Sequence, residues 1–199
     1  MWSALLLLFS SQIVCCVLAA DYEMIIDDPD IFSNCKEPPP GAGNIHSLLN
    51  MDELELTLDG DTIHIEGNAT TVWDIQPGDR VAATARLMQL DRGVWQPTVF
   101  SIATQDFCDI MYDKDQYWYK YWTRYVKNAS VMEKKCVHHK GAKLIHEPFD
   151  LKMVFTNIRG ASLQGRYKVV VILEAFDDDR NVKRPKSICL EIIGDCEKL

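Results

Sequence analysis

Apolar and polar residues alternate along most of this chain with a period of two, the pattern of strands that bury one face. Leu54, Leu56 and Leu58 alternate with Glu55 and Thr57, the DGD triplet at 59–61 turns the chain, and Ile63 and Ile65 resume the alternation. This predicts an antiparallel pair. A short strand is expected over 71–75, ahead of the turn residues Gln76, Pro77, Gly78 and Asp79. Val81, Ala83, Ala85 and Leu87 mark the apolar face of a strand over 80–90, and Asp91, Arg92 and Gly93 lead into its partner over 94–102. Pro97 lies within that partner and cannot donate a backbone hydrogen bond, so an edge position or a bulge is expected there. Phe149, Leu151, Met153 and Phe155 then alternate without a break, and the chain turns back over 160–165. Tyr167, Val169, Val171 and Leu173 alternate as well, with Val170 and Ile172 making the second face of that strand apolar enough to be partly covered. Residues 187–193 read as the last strand.

One stretch breaks the period. Between Cys108 and Cys136 lies the densest aromatic cluster of the chain: Tyr112, Tyr117, Trp118, Tyr119, Tyr121, Trp122 and Tyr125. Trp118, Tyr121, Trp122 and Tyr125 follow i, i+3, i+4, i+7, which predicts one helical face. A crosslink between the two cysteines would fasten both ends of this element. About eight strands with a single helical interruption predict an all-β fold, an antiparallel β-sandwich or cup with a short helical aromatic insert. The CKEPPPGAG run at 35–43 reads as a surface connector, because its prolines lack donors and its glycines favour turns.

The first twenty residues carry no charge and are almost wholly apolar up to Asp21. They read as a signal peptide over 1–20, with small residues at Ala19 and Ala20 for cleavage, although MWSA lacks the usual basic residue. Residues 21–199 are then expected to form one secreted, extracellular domain. Five cysteines remain after the leader (Cys35, Cys108, Cys136, Cys189 and Cys196), enough for two disulfides and one residue over. Asn68-Ala69-Thr70 and Asn128-Ala129-Ser130 are glycosylation acceptor triplets, so Asn68 and Asn128 are expected to carry glycans. A net charge of −8 with no basic tract argues against nucleic acid as a partner.

Motif chemistry is sparse. There is no glycine-rich phosphate loop, no HExxH and no G-x-S-x-G elbow. Cys136, His138, His139 and His146 are the best set of metal ligands, but adjacent histidines on an extended segment point apart, and no metal or cofactor is expected. An apolar pocket needs aromatic and aliphatic walls with few polar groups. The candidate lining residues are Met111, Trp118, Trp122, Tyr125, Phe149, Met153, Phe155 and Phe176, each of which could equally be ordinary core. Three functions are compatible with this reading: a binding protein for a hydrophobic ligand, an interaction module for a receptor or matrix protein with a filled core, and an extracellular hydrolase.

The phrases GNATTVWDIQPGDR (67–80), RGVWQPTVFSIATQDFCDIMYDK (92–114), QYWYKYWTRYV (116–126), LQGRYKVVVILEAFD (163–177) and RPKSICLEIIGDC (184–196) resemble the insect CheB family of secreted chemosensory proteins. That family sits within the wider group of GM2-activator and MD-2-related lipid-recognition proteins. The resemblance implies a single β-cup around a hydrophobic cavity and a non-enzymatic role in taste or pheromone perception. It implies a hydrophobic small molecule or lipid as ligand, with a chemoreceptor or membrane surface as a further partner. It also implies a Cys108–Cys136 bridge that holds the aromatic segment as a lid or wall, and makes Cys35 the natural partner of Cys189. Cys196 is then unpaired, with a Cys189–Cys196 hairpin bridge as the alternative.

Overall fold

A computed structural model describes residues 19–177, 179 and 181–199, so that nearly all of the expected leader lies outside the described residues. The chain folds into two antiparallel sheets. The larger contains β1 (Ala20–Ile25), β2 (Ser33–Asn34), β5 (Asp79–Asp91), β6 (Val94–Thr104), β8 (Met153–Ile158), β9 (Gly165–Asp177), β10 (Val182–Lys183) and β11 (Ile188–Lys198). Its order is β6-β5-β9-β11-β1-β8, with β10 beside β9 and β2 beside β11. The smaller sheet, in the order β3-β4-β7, comprises β3 (Leu49–Asp59), β4 (Thr62–Thr71) and β7 (Lys143–Leu151). The larger sheet curls into a half-open half-barrel, and a short helical insert completes the wall. The helices are α1 (Ile45–Leu48), α2 (Phe107–Ile110), α3 (Tyr117–Tyr121) and α4 (Ala129–Lys135).

The expected β3–β4 and β5–β6 hairpins are both present, closing at Asp59↔Thr62 and Asp91↔Val94. Pro97 does lie on an edge strand, since β6 ends the larger sheet. Two expectations fail. No separate strand forms over 71–75: β4 ends at Thr71 and the chain then loops so that Trp73 and Ile75 drop into the core. The run from Phe149 to Phe155 is not one strand. It divides at Lys152 into β7, paired with β4, and β8, paired with β1. A switch between sheets keeps the same alternation of inward residues, so the period alone does not reveal it.

Two glycines are required by close approach. At Gly67, where φ is +103° and β4 is irregular against both its neighbours, a Cβ would collide with the Glu53 carbonyl oxygen. At Gly194 it would collide with the carbonyl oxygen of Ile25 on the adjacent strand β1.

The outer face of the larger sheet is also partly covered, as the apolar character of Val170 and Ile172 predicts. Lys168 and Glu191 lie buried there on neighbouring strands, joined by a 2.7 Å ion pair, and the Lys168 ammonium sits 5.0 Å from the centre of the Trp95 ring. The Cys35–Cys189 disulfide ties the connector down on the same face, and Glu191 accepts a hydrogen bond from the Lys36 backbone. Asp79, at the start of β5, is buried against Arg184. Burial alone would raise its carboxyl, but two guanidinium hydrogen bonds and the Gln76 backbone N–H hold it below the usual carboxylate range.

The core is divided. One cluster of buried side chains gathers around Trp73, Val81, Met111, Met132 and Leu173, and a second around Tyr22, Ile63, Ile65, Phe149 and Tyr167. Residues of both clusters contribute walls to the space between them.

Candidate functional site: an apolar cavity between the sheets

That space is a cavity of about 510 Å³, walled by both sheets and by the aromatic insert. The strand pattern accounts for it. Inward positions of β5 hold the small side chains of Ala83 and Ala85, and those of β9 hold Val169 and Val171, so facing residues do not reach across. Ala85, Val169 and Val171 remain only half-buried although they face the interior, because what they face is the cavity. On the opposite side Leu49, Leu144 and Leu151 come from the smaller sheet, while Met153, Phe155 and Ile158 line the β8 side.

The insert is held by specific bonds. Asp106 caps α2 by accepting from the Cys108 backbone N–H at 2.9 Å, and Cys108 is bridged to Cys136 just beyond α4. Trp118 Nε1 donates to the Ile110 carbonyl at 2.9 Å, and Thr123 Oγ1 donates to that of Met111 at 2.7 Å. The Tyr121 hydroxyl donates to the Val154 carbonyl of β8 at 2.5 Å, and burial pushes the Tyr121 pKa well above the ordinary phenol value. Tyr117, Tyr121 and Phe155 form an aromatic trio with ring centres about 6 Å apart. Tyr117 of this trio, with Val99 and Ser101 of β6, lines the cavity while remaining exposed.

The predicted single helical face does not form. At Trp122 the backbone leaves the helical region (φ −141°, ψ −68°), α3 ends, and a tight 3₁₀ turn at Thr123–Tyr125 follows. This break sends the four aromatic residues to two places. Trp118, Tyr121 and Trp122 line the cavity, whereas Tyr125 stacks flat on Phe149 at 3.9 Å. Of the eight candidate lining residues, Trp118, Trp122, Met153 and Phe155 lie on the cavity wall, and Met111, Tyr125, Phe149 and Phe176 do not. Met111 and Phe149 are buried core, and the Phe176 ring lies under the Arg80 guanidinium at 4.8 Å. Sequence reasoning missed Phe32, Phe100 and Ile102. The latter two occupy alternate positions of β6, a signal that was present but did not say which face meets a cavity.

Among the described residues no charged side chain lines the cavity, and Thr84 and Ser101 are its only non-aromatic polar residues. The Trp118 N–H and Tyr121 O–H are already committed to backbone carbonyls. The walls therefore offer shape and apolar surface, with little to orient a polar headgroup. Behind Trp122 sits His146, its ring 5.0 Å away and edge-on. It is buried, and neither ring nitrogen has a hydrogen-bond partner. Desolvation pushes its pKa down to about 4, and the neighbouring Gly67 backbone offsets only part of that shift.

The remaining candidates are placed as follows. Cys35–Cys189 and Cys108–Cys136 are both disulfides, and Cys196 is free and buried, its thiol pushed up to about 12 by desolvation and by the neighbouring Asp195 carboxylate. His138 Nδ1 lies 3.7 Å from Cys108 Sγ, while His146 is part of the aromatic cluster, so the four ligands considered for a metal are not one group. Asn68 Nδ2 donates to Glu53, and Asn128 holds β7 through its Nδ2 to the Lys143 carbonyl and its Oδ1 from the Ile145 N–H. Among the described residues no helix is long and apolar enough to cross a membrane. No protein-family model matches the chain, and no curated protein matches it in sequence.

Proposed function

We propose that this chain is a secreted, non-enzymatic binding protein that sequesters a hydrophobic or lipid-like molecule, in the manner its resemblance to the CheB family implies for chemosensory perception. The observation that carries the reading is the cavity itself, partly enclosed and walled by aromatic and aliphatic side chains with no charged residue among the described lining. Its size falls in the range of about 300–1,000 Å³ usual for small-molecule sites. The driving force is desolvation, with each methylene moved from water into the cavity contributing about 0.8 kcal/mol. A chemoreceptor or a membrane surface is the partner to which such a ligand would be delivered.

The test uses the full secreted protein, native mass spectrometry for co-purified lipid, and N-phenyl-1-naphthylamine fluorescence for uptake. Ala85→Phe supplies the control, because it fills the cavity from a position that faces open space instead of packed side chains. The expected result is retained or acquired long-chain ligand in the wild type and loss of probe binding in the variant, with folding unchanged by circular dichroism. Equal probe binding by both proteins would remove the cavity as the site.

A further inference from the structure

We propose that the aromatic insert presents a basic face, running from α3 to α4, that docks this protein on a phospholipid bilayer carrying anionic headgroups. Charge is unevenly spread along the chain. The net charge is −8, yet residues 116–143 hold seven basic side chains against one carboxylate, Glu133, a surplus of six positive charges that leaves −14 on the remainder. The cations are spaced too widely to read as a basic tract. Folding gathers them.

The segment 124–128 lies along β7. The Tyr125 ring stacks on Phe149, Val126 bridges to His146, and the Lys127 N–H donates to the Ile145 carbonyl at 2.7 Å. Lys127 is thereby brought to the start of α4, where Val131, Lys134 and Lys135 stand at i, i+3 and i+4 on the exposed side while Met132 and Cys136 turn inward. Lys120 and Arg124 lead up to it, lying over the Tyr117 and Tyr125 rings at 5.4 and 5.3 Å. Asp113 and Asp115, ahead of α3, bound the face at its other end. Elsewhere Arg166, Lys168, Lys183, Arg184 and Lys186 are all paired with carboxylates. Among the described residues Lys120, Arg124, Lys127, Lys134, Lys135 and Lys140 have no such partner.

Two features select a bilayer over a soluble acidic partner. Exposed apolar side chains, Tyr117, Val131 and Ile145, stand among the cations, the mixture that seats a surface in the headgroup layer. The same insert also walls the cavity through Trp118, Tyr121 and Trp122, and Tyr117 lines it while exposed. Docking by this face sets that wall against the membrane, and the acidic remainder, repelled by the same headgroups, fixes the orientation. Transfer of a ligand through the contact rests on the proposed binding function; the contact itself does not.

Cosedimentation of the full secreted protein, glycans in place, with vesicles of phosphatidylcholine alone or mixed with phosphatidylserine is the measurement. The expected result is binding to the mixed vesicles alone, weakened by salt. Lys127→Glu with Lys134→Glu and Lys135→Glu should lower it at least about tenfold. Lys36→Glu with Arg92→Glu and Lys198→Glu reaches the same net charge from outside the face and should change it far less. All six positions are exposed, so both variants should keep the wild-type circular dichroism spectrum. Uptake of N-phenyl-1-naphthylamine without vesicles, measured alongside, reports on the cavity separately. Equal binding to both kinds of vesicle, or equal loss in both variants, would overturn the proposal. So would a protein that ignores vesicles, whether because a sugar on Asn128 masks the face or because the face takes an acidic protein, which binding to polyglutamate would reveal.

Discussion

At His146, a neutral imidazole with no hydrogen-bond partner is packed against Trp122 and buried from water. In the unfolded chain the same group titrates near its ordinary value of about 6.5. Its folded pKa is lower, about 4, so between these values the unfolded state binds a proton that the folded state refuses. Stability therefore falls as pH drops through that window, by about 3 kcal/mol once the folded value is reached, and is flat with respect to this group above it. His146→Leu should remove that part of the dependence. Urea midpoints of wild type and variant, compared at pH 7 and pH 4.5, check it; parallel shifts in both proteins would mean that the histidine contributes nothing. No residue pattern announced this role. The sequence singled out His146 only as a weak metal ligand, because burial and the absence of a partner are properties of the neighbours that folding brings to it. Trp118 and Trp122 were legible as pocket residues for the opposite reason: large aromatics have few exposed alternatives, and the uncertainty was only which surface they would face.

Among the elements, the hairpins were legible because local turn chemistry and a period of two determine them together. The division of 149–155 between sheets and the break of the aromatic helix at Trp122 were not. Both depend on tertiary partners: β1 for Met153–Ile158, and Phe32, His146 and Phe149 for the Trp122 ring. The insert has only short helical segments, none long enough to be stable alone. Its order comes from the Cys108–Cys136 bridge and the bonds to Ile110, Met111 and Val154. Removing that bridge by Cys108→Ala with Cys136→Ala should lower stability by about 3–4 kcal/mol on chain-entropy grounds, given a sequence separation of 28. The same change should loosen the wall that carries Trp118, Tyr121 and Trp122. Denaturant titration and probe displacement check the two effects separately, and a destabilised variant with unaltered probe affinity would exclude the insert from the binding wall.

For the whole molecule, the divided core sets the character of the fold. Interiors are ordinarily packed as tightly as organic crystals, and here two such cores stand on either side of a space that neither fills. The same arrangement that suits the fold to a hydrophobic ligand also makes it mechanically soft. Volume is the quantity that exposes this. Unfolding eliminates internal void, so a cavity of about 510 Å³ should make the volume change of unfolding unusually negative, and hydrostatic pressure should drive water between the sheets before it disturbs either core. Tryptophan fluorescence under pressure should show a low transition midpoint for the protein alone and a higher one for Ala85→Phe or in the presence of a long-chain probe. Identical midpoints would mean that the cavity closes in solution. A protein built to hold something soft and apolar would then be recognised by its compressibility as readily as by its affinity.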